Sequence, residues 1–293
     1  MGKIFQLAGI LLTLVLFPSS SSSAQPPSGL KVVASLFPLQ EFARVVGGDK
    51  VQVALLLPPG AEVHNWEPRP SDVVKISRTD IFIYVSPSLE PWIDKVLRAA
   101  QSKKLRVLEA SQGLPLIKAE GAEERIGRAG GSRGPEKMDP HLWLDFALDQ
   151  KIVDAIAEAF SEKDPVHAAF YKNNAEIYRG KLNDLDQRYR QALAKCRHRQ
   201  ILLSGHAAFA YLAKRYGLEQ VALSGISPDA EPTPKKMAAV IERVHKSGIR
   251  FIYVEEWVNR KLAESLSKEA GVGVLILSAG HNLTPQQVKE KVT

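Results

Sequence analysis

The sequence predicts an α/β protein made of two halves with similar element order. Short apolar runs of strand length alternate with stretches of helical period in residues 30–108, and the alternation returns in residues 200–277. A purely helical stretch lies between the two halves. Such βαβα order indicates a layered α/β sheet with ligand-binding loops at the carboxyl ends of its strands.

Strand and helix alternate from the start of the first half. Pro58-Pro59-Gly60 stops the second strand, and Ser71 and Asp72 cap the second helix. In chain order the predictions are a strand at Leu30–Leu36, a helix at Leu39–Val46, a strand at Val51–Leu57, a helix from Ser71 to Ser77, a strand at Ile81–Val85, a helix at Pro91–Gln101 and a strand at Leu105–Leu108.

The middle of the chain has a different composition. Residues 118–137 are rich in Gly, Glu and Arg without an apolar period, which predicts a mobile loop. Residues 148–195 are helical in pattern, interrupted at Asp164-Pro165, where Pro can open a new helix. The stretch Tyr171–Lys195 predicts one continuous helix. A helix of roughly 25 residues is about 40 Å long, enough to bridge two lobes. Its predicted buried face consists of Ile177, Leu182, Leu185, Tyr189 and Leu193.

The second half repeats the alternation, although no residue-level repeat relates it to the first. Gly217 and Gly271 close two of its helices, and Pro285 opens another. In chain order the predictions are a strand at Gln200–Ser204, a helix at Ala207–Tyr216, a strand at Val221–Leu223, a helix at Pro234–Ser247, a strand at Phe251–Val254, a helix at Lys261–Ala270 and a strand at Val274–Leu277.

Residues 1–24 have the pattern of a cleavable secretory signal peptide. Lys3 precedes the apolar run Ile4–Phe17, and cleavage is expected after Ala24. The run is shorter than the roughly 20 residues that span a bilayer. The one cysteine, Cys196, lies far from the signal, so neither a disulfide nor a lipid-modified N-terminal cysteine is expected. We therefore expect an exported, periplasmic protein without a lipid anchor.

Length and charge indicate the domain organisation. We predict a signal peptide at 1–24, an N-terminal α/β lobe at 25–147, connecting helices at 148–197 and a C-terminal α/β lobe at 198–293. The formal net charge is +7, and the basic residues are spread among acidic ones. That distribution is typical of a solvated surface and excludes a nucleic-acid-binding stripe. A monomer that does not insert into the membrane after signal cleavage is expected.

Three histidines stand where strands or loops give way to helices, namely His64, His141 and His206. Neutral imidazole is the commonest protein ligand for zinc, and three of them with an open fourth position form a known coordination set. A single histidine near a turn is nevertheless more often exposed or hydrogen-bonded than a ligand, so spacing alone leaves both interpretations open. His167, His198 and His245 lie in helical or basic stretches and are expected to be exposed.

Several segments resemble those of one known family in the same order. Leu57–Asp72, Asp139–Asp145 and Ser204–Tyr211 each contain one of the three histidines, and Gly225–Pro234 and Tyr253–Glu255 follow. Together they closely resemble the ligand motifs and cleft-lining segments of the zinc/manganese substrate-binding proteins of ABC importers. The resemblance spans most of the mature chain.

The resemblance implies two Rossmann-like α/β lobes joined by a long rigid helix, with a metal site in the cleft between them. It implies that His64, His141 and His206 are the metal ligands and that an ABC permease in the inner membrane receives the ion. An imidazole-rich site with few carboxylates favours Zn²⁺ over Mn²⁺.

Other residues near the three histidines are expected to support them or to complete the coordination of the ion. Trp66, Trp143 and Asp145 are interpreted as supports, and Asp145 is expected to fix the orientation of an imidazole. Family members usually supply a carboxylate as a fourth ligand after the last strand, where this chain has Leu277-Ser278-Ala279. A water is the preferred substitute, and the alternatives are Glu62, Glu255 and His281. The loop also lacks the histidines that zinc-type members often carry, so a metal-collecting role is not expected for it.

The favoured function is capture of a metal ion and delivery to an importer, without catalysis. A zinc-dependent hydrolase is one alternative, because three histidines and a water also describe a catalytic site. The chain has neither a His-Glu-x-x-His pair nor a Gly-x-Ser-x-Gly turn, which argues against an enzyme. An adhesin-like surface protein is the other alternative, and the expected lack of a lipid anchor argues against it.

Overall fold

The computed structural model describes residues 29–119, 138–224, 233–255 and 260–290, which form two α/β lobes with a long helix between them. The predicted signal peptide and nearly all of the predicted loop at 118–137 lie outside the described residues, as does most of the segment Gly225–Pro234. No helix in the described part of the chain combines the length and the apolar character needed to cross a bilayer.

The first lobe is a four-stranded parallel sheet in the order β2-β1-β3-β4. One of its two central strands, β3, Ile-Phe-Ile-Tyr, is buried along its whole length because helices cover both faces of the sheet. The elements are β1 Leu30–Ala34, α1 Phe37–Gly47, β2 Val51–Leu55, α2 Pro70–Ser77, β3 Ile81–Tyr84, α3 Ile93–Ala100 and β4 Arg106–Glu109.

Two long helices follow the first lobe. A 3-10 turn at Leu142–Leu144 leads into α4, Phe146–Lys163, and a second 3-10 turn at Pro165–His167 leads into α5, Ala168–Ala194. The break falls at Asp164-Pro165 as predicted. At 27 residues, α5 is about 40 Å long.

The predicted buried face of α5 is confirmed only in part, because Leu182 is buried and Leu185 and Leu193 are half-buried, but the other two residues are exposed. Ile177 is 54% exposed and Tyr189 38% exposed. The buried residues are Tyr171, Ala175, Leu182 and Asp186, which are spaced by four, seven and four positions along one helical face and pack towards α1, α4 and α6. A small residue and a charged one belong to this stripe, so a search for large apolar residues selects a different face.

The second lobe repeats the topology of the first, with a parallel sheet in the order β6-β5-β7-β8. The predicted element order is therefore confirmed in both halves, with shifts of a few residues at the ends. The elements are β5 Gln200–Leu203, α6 Ala210–Tyr216, β6 Glu219–Ala222, α7 Pro234–Ser247, β7 Phe251–Val254, α8 Arg260–Ala270, β8 Gly273–Ile276 and α9 Pro285–Lys289.

Candidate metal centre

The imidazoles of His64, His141 and His206 converge on one point between the lobes. The Nε2 atom of His141 lies 3.3 Å from Nε2 of His64 and 3.2 Å from Nε2 of His206. All three ligand atoms lie within 4.8 Å of one another. Nitrogens bound to one zinc ion at about 2.0 to 2.1 Å in a tetrahedral arrangement are about 3.3 Å apart. The spacing therefore suits a single small cation.

Each histidine reaches this point from a different part of the fold. His64 lies in the loop that follows β2, His141 precedes the 3-10 turn before α4, and His206 follows β5 of the second lobe. His141 and His206 are almost fully buried, whereas His64 is half-buried. The arrangement leaves one side of the cluster closer to solvent, where an ion can enter.

Carboxylates contact the far ring nitrogens of two of these histidines. Oδ1 of Asp139 lies 2.9 Å from Nδ1 of His141, and Oε1 of Glu255 lies 2.7 Å from Nδ1 of His206. The hydrogen bond to Asp139 holds Nδ1 of His141 protonated and leaves its Nε2 free for a metal ion. Glu255, an alternative fourth ligand in the sequence analysis, therefore lies behind His206 in the structure.

The expected role of Asp145 is wrong, because it does not contact an imidazole. Its Oδ1 accepts a hydrogen bond from the backbone N–H of Ala147 at 2.9 Å, which makes it the N-cap of α4. The same oxygen pairs with Nη1 of Arg215 at 2.8 Å. Asp139, for which no role is predicted from the sequence, contacts the imidazole of His141 instead. Its position two residues before His141 is the only sequence signal for it.

The two tryptophans interpreted as supports differ in their position. The ring of Trp143 lies 5.4 Å from that of His141, and its Nε1 donates to the carbonyl oxygen of Ala279 at 2.8 Å. Trp66 packs against Trp92 at 5.8 Å, so it supports the surrounding core. Trp143 is thus the tryptophan that contacts one of the candidate ligands.

Burial keeps two of the site histidines, His64 and His141, neutral. Burial lowers the pKa of His64 to about 2, and the neighbouring imidazoles of His141 and His206 lower it further. Burial also holds the pKa of His141 well below its ordinary value. A neutral imidazole is the form that binds a metal ion, so these side chains are competent ligands at neutral pH.

A short segment of the second lobe, residues 279–283, lies across the cleft and is here called the strap. Nδ2 of Asn282 donates to the carbonyl oxygens of Pro58 and Ala61 at 2.8 and 2.9 Å. The carbonyl oxygen of Leu283 accepts from the N–H of Gly60 at 3.0 Å. The strap therefore ties the second lobe to the loop that carries His64.

The strap also brings His281 next to the cluster. His281 is buried, and its Nε2 lies 3.9 Å from Oε2 of Glu62. The other oxygen of Glu62 accepts the backbone N–H of His64 at 3.2 Å. Both remaining protein candidates for a fourth ligand thus lie beside the three imidazoles.

Known proteins resemble the chain over nearly its whole length. A family model described as zinc-uptake complex component A, periplasmic, matches residues 32–290. The zinc-binding lipoprotein AdcA of Streptococcus pneumoniae is 37% identical over 290 residues, which are 99% of this chain and 57% of that protein. The chain thus spans little more than half the length of this relative.

Two solved structures are similar in fold. The Zn(II)-bound ZnuA-like domain of Streptococcus pneumoniae AdcA matches with a TM-score of 0.75 and 36% identity, over 90% of this chain and 92% of that one. The laminin-binding protein Lmb of Streptococcus agalactiae, described as bifunctional with adhesin and metal-transporting activity, matches with a TM-score of 0.77 and 31% identity. That match covers 88% of this chain and 92% of the other.

Proposed function

The chain belongs to the family of periplasmic zinc-uptake complex component A proteins, and on that premise we propose that it captures Zn²⁺ and delivers it to an ABC importer. In this proposal His64, His141 and His206 bind the ion as transported cargo. The observation that carries it is the distance of 3.2 to 3.3 Å from Nε2 of His141 to Nε2 of each of the other two histidines. That distance suits tetrahedral zinc coordination.

Ligand chemistry supports zinc as the cargo. Imidazole suits zinc and other late first-row ions, whereas Mn²⁺ prefers oxygen ligands. The group of ligand atoms that converges in the described residues consists of nitrogens alone. We therefore expect zinc to bind more tightly than manganese.

The family is one of transporter components and not of enzymes. The geometry also disfavours a hydrolase, since a general base must reach the metal-bound water. Glu255, the candidate base, lies at Nδ1 of His206, on the side of the ring opposite the convergence point. The site is therefore built to bind the ion.

Delivery requires a permease in the membrane as the partner. Release of a tightly held ion requires that the partner stabilises the open state relative to the closed one. We also propose that the chain is a monomer and that its domains divide after residues 147 and 197. The relative AdcA is named a lipoprotein, so an anchor-free form of this chain stays a prediction.

Adhesion is a second candidate function, because the similar protein Lmb is described as a laminin-binding adhesin that also transports metal. Immobilised laminin and the purified chain test it directly. Saturable binding would support a second role, and binding no stronger than to immobilised albumin would contradict it.

Calorimetric titration of metal-stripped protein tests the transport proposal. We expect Zn²⁺ to bind with a stoichiometry of one and more tightly than Mn²⁺, and His206→Ala to lose most of the zinc affinity. His245→Ala is the control, because His245 is exposed on α7. Unchanged zinc affinity in His206→Ala would refute the assignment of this ligand.

A further inference from the structure

The buried imidazole of His281 has no described role in the fold. We propose that His281 is the fourth ligand of the transported ion, so that four imidazoles hold it when the site is loaded. This inference rests on the proposed function, because it completes the coordination of the same ion.

The first observation is that His281 is buried without hydrogen bonds. Its side chain is 2% exposed, and neither Nδ1 nor Nε2 has a hydrogen-bond partner among the described residues. A neutral imidazole has one donor and one acceptor nitrogen, and burying both unpaired costs free energy. Native folds rarely retain such groups unless a ligand or a reaction uses them.

The second observation is that the backbone around His281 is fixed beside the metal centre. Its carbonyl oxygen accepts from the N–H of Phe37, and the next residue, Asn282, is bound to the loop that carries His64. On the other side, the carbonyl of Ala279 accepts from Trp143, whose ring contacts His141. The strap therefore holds the imidazole of His281 between two of the proposed ligand segments.

The third observation concerns what each candidate must give up in order to bind the ion. The nitrogens of His281 lie outside the group that converges within 4.8 Å, so its ring must turn or the strap must shift towards the ion. A ring without hydrogen bonds can turn without losing any. Glu255 would have to leave Nδ1 of His206, and Glu62 already holds the N–H of His64 through one of its two carboxylate oxygens. His281 is therefore a candidate that gives up no side-chain hydrogen bond when it turns to the ion.

A fourth imidazole has a consequence for metal selectivity. A nitrogen-only set favours Zn²⁺ and Co²⁺, whereas replacing one nitrogen with a carboxylate oxygen makes the site more favourable to Mn²⁺. His281 is in this sense a specificity-determining residue.

The experiment compares metal-stripped wild type, His281→Ala, His281→Glu, Glu62→Gln and the surface control His245→Ala. Zinc and manganese affinities come from calorimetric titration, and the visible absorption of the Co²⁺-loaded proteins reports the ligand set. We expect His281→Ala to bind one zinc ion at least about tenfold more weakly and to change the Co²⁺ spectrum, since even the loss of groups that merely support ligands costs about 10- to 100-fold. We expect His281→Glu to raise the affinity for manganese relative to zinc.

Thermal unfolding of the metal-free proteins separates ligation from folding. Because His281 makes no side-chain hydrogen bonds, His281→Ala should melt within a few degrees of wild type. If wild type binds zinc through His206 while His281→Ala keeps both its zinc affinity and its Co²⁺ spectrum, the inference is overturned and the proposed function stands. If His206→Ala also keeps wild-type affinity, the proposed function fails as well.

Discussion

The carboxylate of Asp139 accepts a hydrogen bond from Nδ1 of His141 at 2.9 Å, with both side chains buried. The same carboxylate oxygen accepts the backbone N–H of His141 at 2.8 Å. Tyr211 of α6 donates its hydroxyl to the carbonyl of Asp139 at 3.1 Å. The orientation of the His141 ring is therefore fixed before an ion arrives, and its Nε2 points to the convergence point.

Removing this carboxylate is expected to weaken zinc binding without removing a ligand. Asp139→Ala should lower the zinc affinity about 10- to 100-fold, because carboxylates that orient metal-bound imidazoles contribute by that amount. Calorimetric titration measures it. Asp145→Ala is the matched control, since Asp145 caps α4 and does not contact an imidazole. Equal losses in the two variants would contradict the orienting role of Asp139.

The contrast between Asp139 and Asp145 shows how far the sequence predicts this protein. The strands and helices of both lobes could be predicted because each is a short apolar run or a periodic stretch bounded by Pro, Gly or a capping residue. Asp145 stands three residues before the predicted helical stretch and is the N-cap of α4 in the structure, so the local preference of Asp for helix starts could have identified its role. Asp139 could not be assigned, because its function depends on where the tertiary fold places the ring of His141.

The same limit explains the error on α5. Asp186 is a charged residue on the buried stripe, and its partner Arg215 lies 29 positions along the chain. A charged residue in a helix is normally exposed, so periodicity alone assigns it to the solvent side. Only the folded chain shows that Arg215 compensates its burial.

Arg215 links three helices through ion pairs. It donates to both carboxylate oxygens of Asp186 on α5, at 2.6 and 2.8 Å, and to Asp145 at the start of α4. The hydrogen bonds from Arg215 hold the pKa of Asp186 at about 2. Because this pKa lies below the unfolded value, the stability that the pair contributes is present above about pH 4 and is lost as the pH falls towards 2.

We expect Arg215→Met to lower the free energy of unfolding at pH 7 by about 2 to 4 kcal/mol, because it leaves a largely buried carboxylate without its main partner. Denaturant unfolding measures this change, and the loss of stability between pH 4 and pH 2 should be shallower in the variant. Arg179→Met is the control, since its ion pair with Asp154 is about half exposed and should contribute less than about 1 kcal/mol. A similar cost for both substitutions would count against the assigned role of Arg215.

Glu90 makes the stability of the first lobe depend on pH in the opposite direction. It is buried, it accepts from Ser35 and from the N–H groups of Val85 and Ser86, and burial raises its pKa to about 7. Between about pH 4.5 and 7 the folded state keeps a proton that the unfolded state has lost, so stability falls as the pH rises. A shift of one pKa unit corresponds to about 1.4 kcal/mol, so the loss is on the order of 3 kcal/mol.

The substitution Glu90→Gln should remove this dependence, because the amide stays neutral and its oxygen can still accept from Val85 and Ser86. The free energy of unfolding of wild type should fall over this range while that of the variant should not. We therefore expect the difference, variant minus wild type, to increase by about 2 to 3 kcal/mol from pH 4.5 to pH 8. Urea unfolding at three pH values measures the difference. Parallel curves for the two proteins would show that the carboxyl of Glu90 does not titrate in this range.

Metal exchange is expected to depend on the strap more than on a hinge between the lobes. The continuous helix α5 and the ion pairs of Arg215 restrain lobe rotation, so small-angle scattering with and without zinc should show little change. The contacts that cross the cleft beside His64 are instead a few hydrogen bonds, two of them from Asn282 to the carbonyls of Pro58 and Ala61. Breaking them frees the loop that carries His64 while the lobes stay in place.

Asn282→Ala removes both of these hydrogen bonds, and we expect it to speed zinc release about tenfold, since two neutral hydrogen bonds contribute about 1 to 3 kcal/mol. Stopped-flow transfer of zinc to a chromogenic chelator measures the release rate. Asn174→Ala is the matched control, because its amide binds the carbonyl of Val46 within the first lobe at 3.0 Å. If the two variants release zinc at the same rate, the strap does not govern release, and movement of whole lobes must be reconsidered. Faster release from Asn282→Ala alone would assign this step to residues 279–283.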